Sequence, residues 1–267
     1  VPYTLKTPIE VVWENTPMPE ETEPIPGFNP RHDFNFLCVS QMGPRKNLEN
    51  TIKWFVEEFI DQEVGLVLKS NLRSNSIIDK EQIEASLKGV LASYPDRKCS
   101  VSLLHGDLSE GQMRALYEHN KIKAMINISH GEGFGLPLFE AARSAVPVIS
   151  VGWSGQLDFL NFDNKDYFLN VKHTLQPVQK NVVWEGVITE DSHWAYADQG
   201  SYKMALRMMY KKHNEFVEQA KQLQELVNTH FSDEVLFENF CNQIYGDSIE
   251  VVTDDELDAL FAALSED

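Results

Sequence analysis

Residues 129–150 read SHGEGFGLPLFEAARSAVPVIS, and the chemistry is concentrated in the first twelve. Glycines alternate at 131, 133 and 135, Pro137 follows, and two carboxylates, Glu132 and Glu140, stand eight residues apart. Glycine lets a backbone turn sharply and lets a ligand approach the main chain. Proline favours the first turn of a helix. A helix start offers unpaired N–H groups and the positive end of a dipole, which suits a phosphate. Carboxylates beside a phosphate are electrostatically poor, but they accept well from sugar hydroxyls. Helix N–H groups combined with Glu132 in the turn and Glu140 in the first helical turn therefore point to a sugar joined to a phosphate. The stretch is neither a dinucleotide fingerprint, since the third glycine falls at 135 rather than 136, nor a P-loop, since no G-K-[ST] follows. The plainer alternative is a tight βα turn that needs glycine for packing, with Glu140 placed only for the helix dipole.

Those residues need a scaffold. FNFLCV (34–39), VGLVLK (64–69), SVSLL (100–104), KAMINIS (123–129) and PVISV (147–151) are short apolar runs suited to buried parallel strands. Between them lie helical patterns: Leu48, Ile52, Phe55, Val56, Phe59 and Ile60 at spacings of three and four, then 77–94, 108–119 with Ser109 as N-cap, and 137–145. Five βα-type units imply an α/β fold with a doubly wound parallel sheet and right-handed crossovers. Such sheets bind ligands in the turns beyond the carboxyl ends of their strands, here 40–47, 69–76, 105–108 and 129–136. Residues 194–246 read as mostly helical, with breaks near 212–214 and 230–233. The first 33 residues, with seven prolines, read as an extended linker containing one strand-like run, IEVVW (9–13). The acidic tail, 247–267, carries Leu257, Leu260, Phe261 and Leu264 at helical spacing. It reads either as a solvated end or as a helix that docks on a partner.

Composition narrows the function. A net charge of −18 argues against nucleic acid as a partner, because phosphate backbones are bound by a basic field. It leaves room for a small phosphorylated ligand in a local basic pocket. Cys38, Cys99 and Cys241 are widely spaced with no C-x-x-C, which fits a reducing, cytoplasmic location rather than a disulfide framework or zinc site. No run approaches the roughly 20 apolar residues of a membrane span.

The stretch EGFGLPLFEAARSAVPVI resembles the signature of GT-B glycosyltransferases of the retaining family-4 type, the glycosyl transferases group 1 domain. FLCVSQMGPRKNLENTIKWF (36–55) is similar to that family's first strand, phosphate loop and helix, and VSLLHGDLSEGQMRALY (101–117) to a later βα unit. GWSGQLDFLN (152–161) and WAYAD (194–198) look like elements of one subgroup. The resemblance runs from about 34 to 245 and matches the C-terminal, Rossmann-like, nucleotide-sugar-binding half of that fold, with a helical C-terminal region. It implies that Glu132 contacts the transferred sugar and Glu140 the ribose hydroxyls. The backbone from Gly133 through Phe134, Gly135 and Leu136 would meet the distal phosphate. Lys46 matches the family's phosphate-binding lysine in the loop that also holds Gly43. Many members carry an arginine several residues earlier. Here Gln41 occupies that neighbourhood, able to donate a hydrogen bond but bringing no charge. Arg45 is either a second cation or a solvent-facing turn residue. Gly106 is expected near the nucleobase, where glycine admits a flat ring, and His105 as a strand-end residue making local hydrogen bonds. His130 either approaches the sugar or phosphate or packs the turn. Trp153 reads as a core residue, with stacking on a sugar face as the alternative.

The implied reaction is transfer of a sugar from a nucleoside diphosphate donor to a glycan, lipid or small-molecule acceptor, with retention of configuration. Lys46 and the helix start would stabilise the departing diphosphate, and no metal or other cofactor is required. The acceptor-binding half of such an enzyme is not recognisable in the 33 residues before the domain. The chain is therefore expected to be a piece of a longer protein, one subunit of a split transferase, or a non-catalytic nucleotide-sugar-binding module.

Overall fold

The computed structural model describes residues 21–245. Five strands come in the expected order: β1 (Asn35–Val39), β2 (Gly65–Lys69), β3 (Ser100–Leu104), β4 (Ile122–Asn127) and β5 (Val148–Val151). The helices between them are α1 (Leu48–Phe59), α2 (Ile77–Leu91), α3 (Glu110–Tyr117) and α4 (Leu136–Arg143). The sheet runs β3-β2-β1-β4-β5 and then gains a sixth strand, β8 (Leu169–Val171), parallel to β5. Every pairing in it is parallel. The crossover from β3 returns across β2 and β1 to set β4 beside β1. This reversal of strand order opens a crevice at the carboxyl ends of β1 and β4.

Both sheet faces are covered, so the strands are apolar throughout rather than alternating. On one side α1 supplies Ile52, Phe55, Val56 and Phe59, and α6 (Gln199–Lys211) supplies Tyr202, Leu206 and Met209. On the other, α3 and α4 supply Leu116, Leu138 and Phe139. They are joined by Phe159 of the short α5 (Leu157–Leu160) and Leu223 of α7 (His213–His230). Ser109 does cap α3: its hydroxyl accepts from the Gln112 N–H while Gln112 reaches back to Ser109, a reciprocal capping box.

One expectation needs correcting. Residues 194–198 are not the start of a helix. Residues 194–197 belong to β10 (His193–Ala197), which pairs antiparallel with β9 (His173–Pro177) as a separate two-stranded sheet. Helix α6 begins only after Asp198, whose carboxylate accepts the Ser201 N–H at 2.7 Å. Two short antiparallel strands, β6 (Asn161–Phe162) and β7 (Lys165–Asp166), lie between α5 and β8. Residues 21–33 form no helix or strand and are held to the domain. The Glu23 N–H donates to the Gly111 carbonyl, Ile25 and Phe28 pack on the α3–α4 side of the core, and Lys121 Nζ donates to the Pro30 carbonyl. The helical breaks come at Lys212 and at Phe231–Ser232, before α8 (Asp233–Tyr245). IEVVW and the acidic tail lie outside the described residues. Among the described residues no helix is long and apolar enough to cross a membrane.

Candidate functional site

The turn after β4 and the turn after β1 meet at the crevice. The first turn is closed by a single 3-10 turn over Pro44–Lys46, which aims both cations at the β4 turn. Lys46 Nζ lies 2.8 and 2.7 Å from the two carboxylate oxygens of Glu132. Arg45 Nη1 donates to Glu132 Oε2 at 3.1 Å and to the Gly131 carbonyl. The His130 N–H donates to the Arg45 carbonyl at 2.8 Å, so the two turns are bonded backbone to backbone as well. Glu132 is only 7% exposed. Burial pushes its carboxyl up, but the Lys46 ammonium, the Asn127 amide and the Arg45 guanidinium outweigh that and hold it below the ordinary carboxylate range. Two cations against one carboxylate leave one net positive charge in a protein of −18.

Asn127, a lone amide at the end of the apolar β4, fixes this arrangement. Its Nδ2 donates to Glu132 Oε1 at 3.0 Å, and its Oδ1 accepts the Ser129 N–H at 2.8 Å. From behind, Ser154 Oγ and the Gly155 N–H both donate to the Glu132 carbonyl, at 2.6 and 3.2 Å. Glycine is obligatory at 155: a Cβ there would fall 1.9 Å from the Gly133 carbonyl oxygen. Glu132 is thus held by its side chain from the front and by its backbone from the rear.

Helix α4 starts at Gly135, which takes a left-handed conformation (φ 94°) that favours glycine. No described residue accepts the N–H of Phe134, Gly135 or Leu136, so the helix start presents unpaired donors. The Phe134 side chain turns away and packs on Phe139 and Phe159. Gly133 is exposed, with open space where a Cβ would be.

Glu140 differs from its expected position. It is the fifth residue of α4, in the second turn rather than the first, so charge placement at the helix start does not account for it. Its Oε2 accepts from the Tyr117 hydroxyl at 2.7 Å. Burial and the neighbouring Glu140 carboxylate keep that phenol protonated, its pKa well above 10. Neither Asn127 nor Tyr117 was singled out from the sequence. A lone amide closing an apolar strand was the available signal for the first, and none was available for the second.

The remaining candidates divide. His130 is 5% exposed and serves the turn: Nδ1 donates to the Ala195 carbonyl at 2.7 Å, the ring stacks on Trp194 with an interplanar angle of 13°, and it leans on Tyr196. Burial lowers its pKa and outweighs the bond to Ala195, which raises it. Gln41 spends its amide on the Leu72 carbonyl at 3.0 Å, and Gly43 is extended and exposed. Gly106 follows β3 with φ 106° and open space above it. His105 bonds not locally but to Asp79 of α2, 26 residues earlier, whose carboxylate also accepts the Leu72 and Arg73 N–H groups. Trp153 is 37% exposed, beside His173, and is not a core residue. A cleft of about 700 Å³ opens on the α1–α2 side of the site, between Asn50, Arg73, Val90 and Tyr196. Gly43 and His130 reach it, whereas Lys46, Glu132 and Glu140 do not line it. Among the described residues no three His, Cys, Asp or Glu side chains cluster as a metal site would need.

No protein-family model matches the chain. A serotype-specific mannosyltransferase, WbdA of Escherichia coli, is 32% identical over 118 residues, covering 43% of this chain. The chain matches only 13% of that protein's length. Among solved structures, sucrose-phosphate synthase from Thermosynechococcus elongatus superposes with a TM-score of 0.55 at 18% identity, over 95% of this chain and 48% of that one. Anabaena HepE in complex with UDP and glucose gives 0.52 at 13% identity, over 79% and 48%. The fold is that of the GT-B glycosyltransferase structures, and it corresponds to about half of each of these two.

Proposed function

We propose that this chain is the donor-binding half of a glycosyltransferase that takes a hexosyl group from a nucleoside diphosphate sugar. The observation that carries the reading is the meeting of two turns. Unpaired N–H groups at the start of α4 face the same crevice as a Lys46–Arg45–Glu132 cluster with one surplus positive charge. The N–H groups and Lys46 suit the distal phosphate, and Glu140, held by Tyr117, suits the ribose hydroxyls. Glu132 suits the hydroxyls of the sugar once Lys46 turns to the phosphate.

In this reading the bond between the anomeric carbon and the diphosphate breaks as negative charge grows on the leaving phosphate. Lys46 and the α4 start stabilise that charge. The acceptor oxygen attacks from the face the diphosphate leaves, which gives retention of configuration, and the departing diphosphate takes up the acceptor's proton. The acceptor half lies elsewhere, in the part of a longer protein that this chain does not span or on a partner chain. The chain alone is therefore expected to bind donor without transferring it to an acceptor.

Calorimetric titration with UDP, GDP, ADP and their sugar conjugates tests this. Binding in the range of about 1 µM to 1 mM, where enzymes commonly meet their substrates, is expected for at least one pair. Absence of binding by all of them at millimolar concentration would refute the reading, and robust transfer by the isolated chain would refute the division of labour.

A further inference from the structure

The cleft on the α1–α2 side holds none of the groups that the proposed chemistry uses, yet it adjoins them. Gly43 and His130 line it, and they belong to the two turns that meet at Glu132. Its volume of about 700 Å³ falls in the range of about 300–1,000 Å³ typical of ligand pockets. Ile52 of α1 and Leu87 and Val90 of α2 give it an apolar lining. Tyr196 of β10 adds an aromatic ring, its centroid 4.4 Å from that of His130. The polar lining is neutral in sum, with one cation, Arg73, and one anion, Glu49. The side chains of Arg73 and Gln179 have no partner among the described residues, and Asn50 spends an amide proton on Asn47 but keeps its own oxygen. His130 contributes a directed group. A carbonyl only accepts, so Nδ1 carries the proton in its bond to Ala195. In the neutral ring, which burial favours, Nε2 is then a bare acceptor, and no described residue occupies it. Donors and acceptors set around apolar and aromatic surface match a sugar ring, whose hydroxyls donate and accept and whose faces carry C–H groups. An anion would meet a single guanidinium offset by a carboxylate, and a lone pair that opposes it.

We propose that this cleft binds a neutral oligosaccharide segment of the acceptor, with a sugar hydroxyl donating to His130 Nε2, so that the acceptor is a glycan and this half of the enzyme helps to choose it. This rests on the donor-binding reading above. The rest of the acceptor site lies outside this chain, which therefore holds a glycan without glycosylating it.

The test is saturation-transfer NMR, with titration for affinity, of neutral di- to tetrasaccharides of glucose, mannose and galactose against the wild-type chain, Ser86→Trp and His130→Asn. Ser86 is exposed on α2 and lines the cleft, so a tryptophan there fills it away from the Lys46–Glu132 cluster. In His130→Asn the amide can still donate to the Ala195 carbonyl, but nothing replaces Nε2. At least one saccharide should bind the wild type with a Kd of about 10 mM or tighter. Ser86→Trp should weaken that binding at least about tenfold and leave nucleoside diphosphate binding within about twofold. His130→Asn should weaken it about fivefold, as expected for one neutral hydrogen bond. Thermal melting checks that each variant folds, and if Ser86→Trp does not, Gln179→Trp takes its place with the same criteria. Absence of saccharide binding by a wild-type chain that binds a nucleoside diphosphate overturns this proposal alone. So does saccharide binding that neither variant weakens, because the sugar would then sit elsewhere. Failure to bind any nucleoside diphosphate removes the donor-binding reading itself, and with it the acceptor role, whether or not the cleft binds sugar.

Discussion

The two ends of the crevice are built on opposite plans. At the β4 end, charge is already spent internally: Glu132 holds both Lys46 and Arg45, and Asn127, Ser154 and Gly155 hold Glu132. At the β3 end, Lys69 has a single carbonyl as partner and Gly106 leaves open space. A site that must stabilise a leaving phosphate gains from donors fixed before the ligand arrives, as the N–H groups at the α4 start are, whereas Lys46 is bound to Glu132 and must turn from it to reach a phosphate. The β3 end shows no comparable set of fixed donors among the described residues.

The comparison breaks most sharply at its glycines. Gly155→Ala drives a methyl into the Gly133 carbonyl and is expected to destabilise the fold by about 3 kcal/mol. Gly106→Ala meets no atom and should cost about 1 kcal/mol, through its positive φ alone. Urea titration measures both, and similar losses would erase the contrast. Next is Lys46→Ala, which should weaken nucleoside diphosphate binding by about 2 kcal/mol, roughly thirtyfold. Glu132→Gln frees Lys46 and Arg45 and should leave that affinity equal or tighter while abolishing any preference for the sugar conjugate. A Glu132→Gln loss as large as that of Lys46→Ala would mean the carboxylate does not compete with phosphate. Smaller again, Tyr117→Phe should cost about 1 kcal/mol of affinity for ribonucleotides through Glu140. It should cost nothing for 2′,3′-dideoxy analogues.

The smallest effect is a pH dependence. The Leu72 and Arg73 N–H groups and His105 outweigh burial and depress the Asp79 carboxyl to about 2, against an ordinary 3.8. Its contribution to stability is complete above about pH 4 and is lost as the pH falls toward 2. Acid unfolding of Asp79→Asn should therefore show a shallower slope between pH 4 and 2 than the wild type. Identical slopes would remove Asp79 as the fixture of the 71–74 loop.

The strands β1 to β5 and helices α1 to α4 were legible because each follows a local rule: continuous apolar runs for strands buried on both faces, and three-and-four spacing for helices. The glycine turn was legible for the same reason, since Gly135 and Pro137 act within their own segment. What escaped depends on distant partners. WAYA reads as helical next to a helix, yet it pairs with residues about twenty positions earlier. Trp153 reads as core until its loop is seen at the rim. Nothing local in GWSGQLDFLN marks Gly155, and only the approach of the Gly133 carbonyl makes it indispensable. The Lys46–Glu132 pair joins turns 86 residues apart, so spacing proposed each residue but not their contact.

The clasp between His130 and the β9–β10 hairpin carries a consequence for timing. His130 and Ala195 exchange backbone and side-chain bonds across 65 residues of sequence. During synthesis at about 5–20 residues per second, the glycine turn leaves the ribosome roughly 3–13 s before the strand that secures it. The sheet can assemble in that interval, but the turn waits for its last fastening. Nascent chains ending before β10 should therefore have a loose binding crevice, and a sheet still missing the α6 and α7 side chains that complete its core.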